Sequence, residues 1–161
     1  MTIALGQYEE AQKYMHQALT LAHQFGSIYH VGRYNMFLSQ LYNKMGQAEE
    51  GLTAAQQAIS KGGEVSNKRI MGQGHIYAGQ ALLMLGRLQE AQATLLVGLA
   101  LVQDAAVREM EVEAHQLLYQ GLRRARRFRR RATPLPPAYC SERVVGGGEA
   151  QHLGNGDADA L

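Results

Sequence analysis

The chain has 161 residues, 46% of them hydrophobic and 19% charged, which suits one packed domain or a short stack of repeats. Its single Cys140 excludes an internal disulfide, and the longest apolar run, residues 95–102, is far too short to span a bilayer. The net charge is −2 for residues 1–121 and +4 for residues 122–161. The positive charge of the second segment comes mainly from seven arginines between Arg123 and Arg131. The N-terminal stretch has no basic start and no apolar signal core, so a cytoplasmic location is expected.

The first predicted element begins at LGQYEEA, residues 5–11, where Gly6 is expected to form a turn that opens a helix. Apolar or small residues then recur at steps of three and four, which places them on one helix face. Too few residues precede Gly6 to form the other helix of a pair, so this first copy is expected to be incomplete.

The motif returns as MGQAEEG at residues 45–51 and as LGRLQEA at residues 85–91. The step from Gly6 to Gly46 equals the step from Gly46 to Gly86, which defines a repeat of about forty residues. Gly46 and Gly86 are expected to end a helix in the left-handed conformation that glycine tolerates. Helical patterns at residues 31–45 and 68–85 precede these two glycines. The repeating unit is therefore a helix, a tight glycine turn, a second helix and a longer turn.

The longer turn after the second copy is predicted within KGGEVSN, residues 61–67. Here Gly62 and Gly63 are expected to stop one helix, and Ser66 or Asn67 is expected to cap the next.

A fourth copy begins with a helical pattern at residues 110–122 but then loses the motif. Arg126 stands at the glycine position and Arg131 at an alanine position, while Phe128 keeps its apolar place. Either the arginine run is a functional basic tail, or the chain is a truncated or frame-shifted piece of a larger repeat protein. Residues from about 132 onward, rich in proline and glycine, are expected to be disordered.

The predicted fold class is all-α, an α-solenoid of antiparallel helix pairs with a disordered C-terminal tail. The predicted domain covers residues 3–131 and the tail covers residues 132–161. The repeats within the domain are 3–26 (partial), 27–66, 67–106 and 107–131 (partial).

The sequence resembles tetratricopeptide repeats of about forty residues, over roughly residues 3–122. The family's Leu-Gly-aromatic pattern in its first helix corresponds to Leu38, Ser39 and Tyr42, and in the next copy to Ala78, Gly79 and Leu82. Its paired small residues in the second helix correspond to Ala11 and Ala18, Gly51 and Ala58, and Ala91 and Gly98. The resemblance implies a concave binding face formed mainly by the first helix of each repeat.

Three glutamines, Gln40, Gln80 and Gln120, stand at the same position of successive repeats and are expected to form a row on that face. Each amide can donate a hydrogen bond to an extended peptide and accept one from it, although three solvated glutamines would look the same in sequence. The residues expected to flank the row are Arg33, Asn43, Lys44, Gln73 and Tyr77. The family's carboxylate clamp is not expected, because its basic pair is missing at the matching places.

Two further residue sets bear on phosphate and metal binding. Arg123, Arg124, Arg126 and Arg127 could bind phosphate groups, but one aromatic residue and no groove-reading motif accompany them. His75 and His115 stand at equivalent positions of successive repeats, but no third metal ligand recurs with them, so a metal site is not expected.

The sequence contains no catalytic constellation, and we expect neither an enzyme nor a cofactor. The leading hypothesis is a noncatalytic protein–protein interaction module that binds a peptide or helix, in a regulatory or signalling protein. A nucleic-acid-associated protein that uses the arginine run is the alternative. A homodimer is also possible if a second copy supplies the missing first helix. No membrane association is expected.

Overall fold

A computed structural model describes residues 2–132, and side chains from residue 6 onward. This part of the chain folds into six helices and the turns that join them. The helices are α1 (Thr2–Gln24), α2 (Ile28–Met45), α3 (Ala48–Glu64), α4 (Lys68–Met84), α5 (Leu88–Asp104) and α6 (Arg108–Ala132). The predicted tail lies outside the described residues, apart from Ala132. None of the six helices is both long and apolar enough to cross a membrane.

Consecutive helices from α1 to α5 pack against each other in antiparallel fashion, and α2 also packs against α4. We call α2, α4 and α6 the A helices, and α1, α3 and α5 the B helices. The buried core contains Met36, Ala55, Ile76, Leu95 and Ala114, so it runs from α2 to α6. The prediction of an all-α solenoid of helix pairs is confirmed. By its contacts the chain falls into two units, residues 1–125 and 126–161, and the second contains the last described turns of α6.

The five turns that join the described helices share one backbone geometry. A residue with positive φ stands at each turn, namely Gly26, Gly46, Ser66, Gly86 and Ala106. In all five turns the N–H of the next residue donates to the carbonyl oxygen five positions earlier, at 2.8–3.0 Å. The left-handed residue and this hydrogen bond together satisfy carbonyl oxygens that the end of the helix leaves without a partner.

The predicted left-handed turns at Gly46 and Gly86 are present, with φ of 80° and 78°. The turn predicted at Gly6 is wrong, because Gly6 lies inside α1 and its φ is not positive. Helix α1 begins at Thr2 and runs through Gly6 without a break.

The end of α3 also differs from the prediction. Gly62 and Gly63 lie within α3, which continues to Glu64 before Ser66 takes the left-handed conformation. Gly62 serves close packing instead, since a Cβ there would lie 3.0 Å from Met71 Cγ. Asn67 caps α4 as predicted, and its side chain accepts a hydrogen bond from the Ile70 N–H at 3.0 Å.

The fourth copy has no turn at Arg126, because α6 continues through this position to Ala132. An arginine is a good helix former and carries a β-carbon, so it favours helix over the left-handed turn that glycine permits.

Candidate functional site: the surface of the A helices

The three predicted glutamines lie at equivalent positions on the three A helices. Gln40 in α2 and Gln80 in α4 are half-buried, and Gln120 in α6 is exposed. The Gln80 Oε1 atom accepts a hydrogen bond from Asn43 Nδ2 at 3.2 Å. This bond fixes the Gln80 side chain and leaves its amide N–H₂ group as a donor. A peptide-binding role for the row stays a prediction.

Asn43 and Tyr77 are core residues, with 5% and 4% of their surface exposed. Asn43 Nδ2 donates to the Tyr77 carbonyl oxygen at 2.9 Å, which ties α2 to α4. The Tyr77 hydroxyl donates to Met110 Sδ at 3.9 Å, which ties α4 to α6. Burial, together with the charge of Glu113, raises the pKa of Tyr77 well above its ordinary range. The prediction that these two side chains face a ligand does not hold, because they support the surface from behind.

A cleft of about 260 Å³ lies between α2 and α4. Its lining residues are Tyr29, Arg33, Met36, Phe37, Asn67, Arg69, Ile70 and Gln73. Arg33 and Gln73 were expected at the binding face, and they are equivalent positions on the two helices. Tyr29 and Arg69 are also equivalent to each other, one helical turn earlier. Sequence reasoning missed this second pair because it followed only the positions in phase with the glutamines.

The cleft combines positive charge with an apolar floor. Arg33 and Arg69 are exposed at its rim, while Met36 and Ile70 are buried beneath. The guanidinium carbon of Arg33 lies 5.7 Å from the centroid of the Phe37 ring, a cation–π distance that restrains the side chain. Arginine side chains held in this way suit a carboxylate, which they can bind through two parallel hydrogen bonds.

A lysine of α2 and a carboxylate of α6 lie close enough for their charges to interact. Glu113 is half-buried in α6, and burial raises the pKa of its carboxyl group, an effect that the charge of Lys44 partly offsets. Lys44 itself is exposed at the end of α2. A ligand that crosses from α2 to α6 would meet the two guanidinium groups of the cleft and then this lysine and carboxylate.

Two of the four arginines proposed to bind phosphate have partners within the fold. Arg124 Nη1 donates to the Leu83 carbonyl oxygen at 2.7 Å, and so caps the C-terminal end of α4. The guanidinium carbon of Arg123 lies 5.7 Å from the centroid of the Tyr119 ring. Arg126 and Arg127 are exposed in the second unit. A phosphate site at these arginines stays a prediction.

The two histidines considered as metal ligands differ in environment. His75 Nδ1 is buried and has no hydrogen-bond partner, and burial lowers the pKa of this imidazole. His115 is exposed on α6. Residues 2–132 contain no group of three or more His, Cys, Asp or Glu side chains placed to hold a metal ion.

Antiparallel helix pairs that recur in one register define the class of this protein, a helical repeat solenoid. The tetratricopeptide repeat family model matches residues 3–29, which cover α1, the turn at Gly26 and the start of α2. No match to the chain was found among curated proteins or among solved structures. The family match and the helical fold fit a tetratricopeptide-like repeat protein. Repeats of this family generally mediate protein–protein interactions and are typically noncatalytic.

Proposed function

We propose that this protein is a noncatalytic interaction module that binds a peptide across its A helices, with an acidic group of the peptide in the cleft between α2 and α4. The observation that carries the proposal is the convergence of Arg33 and Arg69 over the buried Met36 and Ile70. Pockets that select a ligand commonly combine an apolar floor with a few charged groups that fix its orientation.

The neighbouring residues extend the proposed contact. Gln40 and Gln80 offer amide groups to the backbone of a bound chain. Lys44 and Glu113 continue the charged surface towards α6. The preferred ligand would carry an acidic residue beside an apolar one, followed by a basic residue. This order gives the ligand a direction along the A helices.

The resemblance to regulatory tetratricopeptide proteins supports a signalling or scaffold role in the cytoplasm. Within such a protein, this segment would recruit a partner and leave catalysis to another domain.

A peptide-selection experiment tests the proposal. A displayed library of random peptides is selected on the full chain, and the affinity of the selected peptides is measured by fluorescence anisotropy. The Arg33→Gln, Arg69→Gln double variant should lose at least about tenfold in affinity for peptides with an acidic residue. Raising the salt concentration should weaken binding to the unchanged protein and have less effect on the variant.

The control is Arg87→Gln, which removes an exposed arginine from the turn between α4 and α5. This variant should keep full affinity. The proposal fails if the selected peptides show no acidic preference, or if the double variant binds them as tightly as the unchanged protein does.

Nucleic-acid binding through residues 123–131 remains the alternative prediction. It requires binding that falls steeply with salt and disappears when Arg126 and Arg127 are changed to Gln.

A further inference from the structure

Two helices carry exposed apolar side chains seven positions apart on one face. On α1, Tyr14 is 60% exposed and Leu21 is 53% exposed. On α6, Val112 is 58% exposed and Tyr119 is 62% exposed. A spacing of seven positions is about two helical turns, so each pair forms a stripe. We call these the α1 stripe and the α6 stripe.

The α6 stripe occupies the positions at which the other A helices receive a B helix. Val112 and Tyr119 stand in α6 where Gly72 and Gly79 stand in α4, one repeat earlier. A Cβ at Gly72 would lie 3.1 Å from Leu101 Cβ of α5, and a Cβ at Gly79 would lie 2.5 Å from Leu95 Cγ. In α4 this face is therefore covered by α5. No helix among the described residues covers the same face of α6.

Leu21 of the α1 stripe and the nearby Met15 occupy positions at which the other B helices meet their own A helix. Leu21 is equivalent to Leu101 of α5, two repeats later, and Met15 is equivalent to Leu95. The α3 equivalent of Leu21 is Lys61, whose Cβ lies 3.2 Å from the position of a Cβ at Gly32 of α2. Helix α1 is thus a B helix without a paired A helix among residues 2–132.

The same register brings opposite charges together. A Cβ at Gly51 of α3 would contact the Asn43 side chain of α2. The equivalent positions are Ala11 on α1 and Arg123 on α6. Glu9 and Glu10 directly precede Ala11, and both are exposed, so Arg123 would lie beside these two carboxylates of α1. Charges arranged in this way favour one orientation of two partners.

We propose that the α6 stripe of one copy binds α1 of a second copy, which takes the place of a B helix. Val112 and Tyr119 carry side chains where α4 has glycines, so α1 would lie farther from α6 than α5 lies from α4. In this arrangement Val112 contacts Leu21, Tyr119 contacts Met15, and Arg123 lies near Glu10. The two surfaces of this contact are different, so it is a heterologous, head-to-tail interface. Such an interface leaves one α1 and one α6 stripe open at the ends of each pair, and further copies can add.

Sedimentation velocity of the full chain tests this arrangement. The average mass should rise with protein concentration, from low micromolar upward, and should pass the mass of a dimer unless a ring closes. Leu21→Glu should block the α1 side and Tyr119→Glu the α6 side. Each variant alone should associate at least about tenfold more weakly, which corresponds to about 1.4 kcal/mol or more.

Mixing the two variants distinguishes a head-to-tail contact from a symmetric one. The Leu21→Glu protein keeps an intact α6 stripe, and the Tyr119→Glu protein keeps an intact α1. The mixture should therefore form a one-to-one heterodimer and nothing larger. Leu96→Glu, a change at another exposed apolar residue on α5, is the control and should leave association unchanged.

Three results would overturn the proposal. They are a constant monomer mass at all concentrations, a mixture of the two variants that stays monomeric, and an effect of only one of the two substitutions. Both side chains are already more than half exposed, so the folded chain should tolerate glutamate, which circular dichroism would verify. The Leu21→Ala and Tyr119→Ala pair repeats the comparison without an added charge. Peptide binding by the α2–α4 cleft is measured separately, and its failure would leave this proposal standing.

Discussion

Replacing the left-handed alanine at the last turn should make the protein more stable. Ala106 has a φ of 55° and is exposed, so glycine can take its place without the loss of a buried contact. A left-handed backbone costs an L-residue about 1–2 kcal/mol relative to glycine. Glycine also gains freedom in the unfolded chain, which removes about 0.4–1 kcal/mol of that benefit. We expect Ala106→Gly to raise the free energy of unfolding by up to about 1 kcal/mol.

Thermal unfolding followed by far-UV circular dichroism measures this effect. For a chain of this size, about 1 kcal/mol corresponds to a shift in Tm of about 2–4 °C. Ser66→Gly should act in the same direction, because Ser66 has a φ of 51°. The matched control is Ala93→Gly, since Ala93 is exposed inside α5 and glycine there should destabilise the protein by about 1 kcal/mol. If Ala106→Gly lowered the Tm as Ala93→Gly does, the argument from backbone conformation would be refuted.

Three further changes have defined expectations. Gly98→Ala should destabilise the protein by about 1–3 kcal/mol, because the new methyl group would lie 2.9 Å from a side-chain carbon of α4 and 3.1 Å from a backbone oxygen. Its control is Gly63→Ala, where the new methyl group meets nothing within 4 Å and should stabilise the protein by up to about 1 kcal/mol. Denaturant unfolding measures the free energy of unfolding of both variants. His75→Gln should reduce the loss of Tm on acidification. Burial lowers the pKa of this histidine below 6.5, so its stability contribution is complete above pH 6.5 and is lost as the pH falls below that value. His115→Gln, at an exposed histidine of α6, is the matched control. Arg124→Gln should lower the free energy of unfolding by about 0.5–1.5 kcal/mol through the lost hydrogen bond to α4, and an unchanged urea midpoint would contradict this role.

The helix pairs and two of the turns were predictable because their signals are local. Gly46 and Gly86 mark left-handed positions where glycine has a clear advantage over other residues. Ser66 and Ala106 take the same conformation without any preference for it, so the surrounding packing must impose it. Gly6 shows the opposite case, since a motif that predicts a turn lies within a helix at this position.

The candidate site was only partly predictable, because the periodicity of the sequence does not predict which polar side chains are buried by neighbouring helices. Asn43 looks like a surface residue in the sequence, yet it is buried and bonded to Tyr77 and Gln80. Arg69 could not be paired with Arg33 from the repeat spacing, since the position equivalent to Arg33 in α4 is Gln73. The meeting of the two arginines in one cleft depends on how α2 packs beside α4.

The left-handed turns of this chain recur once per helix, whereas its side-chain pattern recurs once per helix pair. These two periods set the size of insertions or deletions that the fold can accept. Loss of residues 47–86 would join Gly46 to Arg87, and α5 would follow α2 through the same kind of turn with a B helix in its proper place. Loss of residues 47–66 would also preserve a turn, but it would put the A helix α4 where a B helix must pack. Such a protein would keep all its left-handed turns but would pack an A helix where the side-chain pattern requires a B helix. Insertions and deletions in this protein should therefore occur in steps of one whole helix pair.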